Sequence, residues 1–89
     1  MSKRAIFVTA PSWCASCRNM HTVIKQAAQQ TGWDLDIINL DDDPAAAACL
    51  EVSSLPTTIM MVGATETGRI VGAYPLAKTI ELLGGPDGK

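Results

Sequence analysis

Two cysteines separated by two residues, Cys14 and Cys17, are the groups in this 89-residue chain best suited to chemistry. They sit in Ser12-Trp13-Cys14-Ala15-Ser16-Cys17, between an apolar run and a helical pattern. Residues three apart in the first turn of a helix lie about 5–6 Å apart at Cα, a separation that suits a disulfide. The same turn has free backbone N–H groups and the positive end of the helix dipole, and both favour a thiolate. The motif therefore reads as a dithiol/disulfide redox centre. A bridge across it closes a tiny loop and restricts the unfolded chain little, so the bond serves chemistry rather than stability.

The third cysteine, Cys49, stands apart, and an odd count argues against a secreted disulfide scaffold. It reads as a small core or partly exposed filler, with a regulatory or dimer-forming thiol as the sharper alternative. A zinc site built from Cys14, Cys17, Cys49 and His21 is the metal alternative. His21 lies two turns along the helix from Cys14 and reaches the motif poorly, so it reads as a surface histidine and no metal is expected.

The elements that must position the pair follow from periodicity. Ala5 to Ala10 is an apolar run bounded by Pro11 and reads as a buried strand. Pro11, Ser12 and Trp13 form a loop. From Cys14 to Thr31, Cys17, Met20, Ile24, Ala27 and Ala28 share one helical face, and Gly32 is a stop signal. Trp33 to Leu40 reads as a second strand, parallel to the first because a helix joins them. Asp43 and Pro44 are a good N-cap and first residue for a short helix from Ala45 to about Glu51. The acidic run Asp41-Asp42-Asp43 suits that helix start and lacks the ligand spacing and glycine of a calcium loop. Thr57 to Val62 is a third strand, with Met60 and Met61 on opposite faces, both expected in the core. Gly63 to Gly68 is a polar turn, and Arg69 to Ala73 a fourth strand, antiparallel to the third. Pro75 to Leu83 is a last helix, ended by Gly84-Gly85-Pro86, and Asp87-Gly88-Lys89 is a frayed tail. The order β-α-β-α-β-β-α predicts an α/β fold, with a four-stranded mixed sheet and helices on both faces.

Length and composition fit one small domain, residues 1–89, with 47% apolar residues and only 4% aromatics. The net charge of -2 gives no electrostatic case for nucleic acid or an anionic membrane. No apolar run approaches the roughly 20 residues of a membrane span. Met1-Ser2-Lys3-Arg4 before Ala5–Val8 looks like the charged start of an export signal. Its cleavage would remove the cysteine pair, so the expectation is a cytoplasmic protein.

Three segments, in order and at suitable separations, resemble the thioredoxin family. They are Trp13-Cys14-x-x-Cys17 after a strand, Leu55-Pro56-Thr57 before the third strand, and Val71-Gly72-Ala73 on the fourth. The resemblance covers almost the whole chain, which starts where the family's second strand would be and so looks like a shortened thioredoxin of glutaredoxin-like size. It implies the thioredoxin fold and a protein-disulfide reductase. Cys14 would be the exposed nucleophile and Cys17 the resolving thiol. Pro56 would be a cis proline facing the sulfurs, exposing the Leu55 backbone so that an extended substrate pairs with it. Trp13, Thr57, Gly72 and Ala73 would complete the docking surface, with Gly72 allowing close backbone approach. No cofactor is implied beyond the Cys14–Cys17 disulfide. The implied partners are protein disulfides, ribonucleotide reductase among them, and a flavin-dependent thioredoxin reductase, acting on a monomer.

Three departures from the family pattern modify that expectation. Ala15-Ser16 replaces Gly-Pro between the cysteines. Ser16 frees a backbone N–H for the Cys14 thiolate and should make the pair less reducing than thioredoxin's. Val8 occupies the position of the family's buried aspartate, so water, Ser16 or Thr57 must relay the Cys17 proton. A glutaredoxin-type Gly-Gly-x-x-Asp is missing after the fourth strand, which disfavours glutathione-dependent chemistry. The competing functions are a disulfide oxidant or isomerase, and a non-catalytic binding module with structural or zinc-bound cysteines.

Overall fold

A computed structural model describes residues 2–84. Its elements run β1 (Lys3–Thr9), α1 (Ala15–Thr31), β2 (Asp34–Asn39), α2 (Ala46–Cys49), β3 (Thr57–Val62), β4 (Thr65–Val71) and α3 (Leu76–Leu82). They form one four-stranded sheet in the order β2-β1-β3-β4. β1 is parallel to β2 and antiparallel to β3, and β3 and β4 form an antiparallel hairpin. The expected mixed sheet is therefore present in the expected element order.

β1 has the most buried residues of the four strands and, with β3, lies inside the sheet, where both faces are covered. Phe7 and Ile70 point to the face covered by α1 and α3, and they join Met20, Ile24, Ala27 and Leu83 in the core. Ala27 and Ala28 keep α1 close to the sheet because neither carries a long side chain. The helix ends at Gly32, whose φ of 78° is the left-handed conformation, and its N–H caps the Ala28 carbonyl. Trp33 then packs on the core edge and donates from its indole Nε1 to the Leu83 carbonyl at 3.0 Å, tying α3 to the start of β2.

The other face carries α2. Ile6, Ile59 and Arg69 are register partners across β1, β3 and β4. Arg69 reaches up from that row and donates to the carbonyls of Leu50 and Glu51, at 2.7 and 3.0 Å. Its partnership with Glu66 raises the Arg69 pKa and lowers that of Glu66, in each case mainly through their hydrogen bond. With four residues, α2 covers only part of this face, leaving a groove of about 380 Å³ bounded by Ile6, Cys49, Ile59 and Met61.

Several boundaries differ from expectation. β1 starts two residues earlier, at Lys3, because amphipathic Lys3 and Arg4 can extend a strand while their charges stay wet. α2 starts later than predicted: its N-cap is Ala45, with no side-chain cap bond, and Asp43 contributes only its backbone carbonyl to the Ala46 N–H. The polar segment Thr65–Gly68 is strand, not turn, since β4 is an edge strand whose residues face solvent. The connection between β3 and β4 shrinks to Gly63-Ala64, and a bulge falls between Met60 and Met61. Both methionines are half-buried rather than core. The predicted stop at Gly85-Pro86 and the tail to Lys89 lie outside the described residues.

Candidate active site

α1 begins where β1 ends, so the cysteine pair sits at the C-terminal edge of the sheet. The connecting loop is pinned from within: Ala10 accepts backbone N–H bonds from Trp13 and Cys14 at 3.3 and 3.1 Å, and Arg18 donates to the Pro11 carbonyl. It is also pinned from outside. The Asp41 carboxylate accepts from the Ser12 N–H at 3.1 Å and from the Ser12 hydroxyl at 2.7 Å. Asp41 was expected only to support a helix start. It instead clamps the loop that carries Trp13, and with Ser12 it is a positioning pair that spacing in the sequence does not reveal, since 29 residues separate the two. Replacing Asp41 with Ala should lower stability by about 1 kcal/mol, the usual worth of such hydrogen bonds. A thermal melt together with hydrogen exchange at Trp13 would check it; unchanged protection there would contradict the clamp.

Cys14 and Cys17 are joined as a disulfide with a Cα–Cα distance of 5.2 Å. Cys14 is the N-cap of α1, the position usually held by an oxygen side chain. Its sulfur takes over that function, accepting from the Cys17 N–H at 3.2 Å. The Ser16 hydroxyl lies 3.4 Å from the same sulfur. The Ser16 contribution thus comes through its side chain. No acidic residue occupies the first turn of α1, so the helix dipole acts on Cys14 unopposed by a local carboxylate. The two cysteines differ in access, though both are buried: Cys14, expected to be exposed, retains 8% exposure and Cys17 none.

The second expected segment meets the first at the same end of the sheet. Val8 pairs with Thr57, so the end of β1 and the start of β3 lie side by side. The Leu55–Pro56 peptide is cis. The Pro56 carbonyl accepts from the Gly72 N–H at 2.8 Å, which brings the end of β4 to the same edge. Gly72 has a φ of 100°, a left-handed conformation, while a Cβ there would meet nothing within 4 Å; the glycine is required by its backbone, not by crowding. Thr57 is buried and its hydroxyl donates to the Ser54 carbonyl at 2.6 Å. That bond commits the hydroxyl and removes Thr57 as the relay for Cys17. Trp13 is 69% exposed beside the disulfide, and Ala73 is exposed beyond Gly72.

The remaining candidates do not join this edge. His21 is half-buried rather than a surface residue, with its ring edge-on to Phe7 at 6.0 Å between centroids. Cys49 is an exposed free thiol on α2. Among the described residues, no three His, Cys, Asp or Glu side chains gather as metal ligands. A concavity of about 490 Å³ beside His21, Lys25 and Trp33 is lined by neither cysteine.

A helix-capping disulfide at the end of a central strand, next to a cis-proline segment, defines a dithiol/disulfide exchange protein. The thioredoxin family model matches residues 2–83. A thioredoxin of Staphylococcus haemolyticus is 32% identical over 74 residues, spanning 81% of this chain and 71% of that protein, and one from Staphylococcus aureus matches equally. Among solved structures, mitochondrial thioredoxin 3 of Saccharomyces cerevisiae in its oxidised form superposes with a TM-score of 0.76 at 28% identity, covering 92% of this chain and 79% of that one. Thioredoxin-2 of the malaria parasite superposes at 0.83 with 24% identity over 93% and 82%, a likeness of fold. This chain belongs to the thioredoxin family, and its Cys14–Cys17 pair makes it a thiol–disulfide oxidoreductase.

Proposed function

We propose that this oxidoreductase works as a reductant of protein disulfides, with Cys14 attacking and Cys17 resolving. The observation that carries the reading is the difference in access at the pair, 8% exposure against 0%. The more accessible cysteine is also the one at the helix N-cap, where a thiolate is best stabilised. Attack by the Cys14 thiolate breaks the substrate S–S bond and forms a mixed disulfide, releasing one substrate thiol. The Cys17 thiolate then attacks the Cys14 sulfur, the second substrate sulfur leaves, and the Cys14–Cys17 bond closes. Substrate docks as an extended segment along the Leu55 backbone, flanked by Trp13, Gly72 and Ala73, with the buried Pro56 and Thr57 supporting that edge from beneath. Among the described residues the Leu55 N–H and carbonyl make no backbone bond of their own, which supports that mode.

The pair needs no further cofactor. A flavin-dependent reductase returns it to the dithiol, ribonucleotide reductase is among its clients, and the protein acts in the cytoplasm as a monomeric, single-domain carrier over residues 1–89. None of the helices among the described residues is long and apolar enough to cross a membrane. The test is insulin reduction with dithiothreitol, then with NADPH and a bacterial thioredoxin reductase. Turnover in both arms is expected. Absence of insulin reduction with dithiothreitol would overturn the reductant reading and favour the oxidant/isomerase, which is tested by refolding of a scrambled disulfide protein.

A further inference from the structure

Val8 leaves the family's carboxylate position without a proton-handling group, Thr57 is committed to Ser54, and the Ser16 hydroxyl lies at Cys14. One polar group at the end of β1 remains unused. Thr9 closes β1 and is 2% exposed, and its Oγ1 is, among the described residues, the single buried side-chain nitrogen or oxygen without a hydrogen-bond partner. Its main chain is engaged, the carbonyl accepting from the Leu40 N–H at 2.8 Å. A buried hydroxyl left unpaired is costly, and such groups usually have a reason to persist.

Its place in the fold supplies the reason. Alternation along β1 puts Thr9 on the same face as Phe7, the face under α1. α1 runs back along β1, because β1 and β2 are parallel and α1 joins them. Two strand residues advance about 6.6 Å, and four helical residues about 6 Å. Phe7 lies under His21, with the ring centroids 6.0 Å apart. The same step along both elements moves from Phe7 to Thr9 and from His21 to Cys17. That step sets Thr9 and Cys17 at the same level of the facing strand and helix, and both are buried, at 2% and 0% exposure.

We propose that the Thr9 hydroxyl is a positioning residue for Cys17, donating a hydrogen bond to its sulfur in the dithiol state and losing that partner when the disulfide forms. In the mixed disulfide, the Cys17 thiol gives its proton to solvent and the hydroxyl stabilises the thiolate that remains. That thiolate attacks the Cys14 sulfur. The Cys14–substrate bond breaks, and the departing substrate sulfur keeps the electron pair and takes a proton from water. Thr9 exchanges no net proton. A disulfide sulfur is a poorer acceptor than a thiolate, so closing the ring strands the hydroxyl. The device therefore favours the reduced form of the pair and eases the step that a carboxylate would otherwise assist.

The test is Thr9→Val, which keeps the shape and removes the hydroxyl, beside Thr9→Ser, which keeps the hydroxyl. Equilibration with glutathione is expected to show Thr9→Val about tenfold harder to reduce, equal to about 30 mV for a two-electron couple. Thr9→Ser should stay near the parent. In a Cys14→Ser background, the ultraviolet absorbance of the Cys17 thiolate should titrate at higher pH when Thr9 is valine. The oxidised Thr9→Val protein should melt no lower than the parent, since it has lost an unpaired buried group. An unchanged glutathione equilibrium in Thr9→Val, or a Thr9→Ser shift as large as that of valine, overturns the proposal. If valine prevents folding, Thr9→Ala carries the same comparison.

Discussion

Cys17→Ser should accumulate a mixed disulfide between Cys14 and its substrate, whereas Cys14→Ser should form no adduct. Both should lose insulin reduction, by at least about a hundredfold, since serine is no substitute for a thiolate at neutral pH. The asymmetry follows from the geometry. Cys14 caps α1, receives the Cys17 N–H and retains access; Cys17 is sealed beneath it. A substrate can reach only the first sulfur, and without the second the adduct has no internal route to release. Non-reducing electrophoresis and mass spectrometry read the adduct directly. Activity surviving in Cys14→Ser would refute the assignment of the nucleophile.

The next largest effect is expected at Ser16. Replacing it by Ala removes the hydroxyl 3.4 Å from the Cys14 sulfur while leaving the helix intact. Hydrogen bonds to charged groups contribute about 1.5–3 kcal/mol. Ser16 is exposed, so the lower end applies, and the Cys14 thiol should titrate about one unit higher. At neutral pH the dithiol loses that stabilisation, and the equilibrium with glutathione moves toward the disulfide by at most about tenfold, the full amount being reached where Cys14 is ionised in both proteins. The sign is fixed: whatever stabilises the thiolate favours the reduced pair and makes the protein more oxidising. The parent should accordingly have a potential above that of a Gly-Pro thioredoxin. A glutathione titration placing it equal or lower would rule out this role for Ser16.

The architecture was legible because its signals were local or strongly periodic. Apolar β1, the Cys17–Met20–Ile24 stripe of α1 and Gly32 each carry a pattern that survives without tertiary context. Leu55-Pro56 could be placed only through the thioredoxin resemblance, since nothing local demands that its peptide be cis. What escaped notice depends on distant partners. Asp41 looked like a helix start, yet Ser12, far away in sequence, takes its carboxylate. Thr65 to Gly68 looked like a turn because β4 is an edge strand and its polar residues face water. Arg69 looked like an ordinary strand residue, but it holds the carbonyls at the end of α2, a helix otherwise without a side-chain cap. Thr9 looked like a plain β-branched strand residue, since an unpaired hydroxyl becomes visible only when every other partner is placed.

The inner position of β1 has a consequence during biosynthesis. Its first neighbour, β2, follows after one helix, but the register of its second neighbour runs Lys3 to Val62. At about 5–20 residues per second on the ribosome, one edge of this inner strand waits several seconds for β3 to emerge. The nascent chain must protect that edge for this interval, and a chaperone binding β1 before Val62 is made would be guarding the strand on which the redox centre is later assembled.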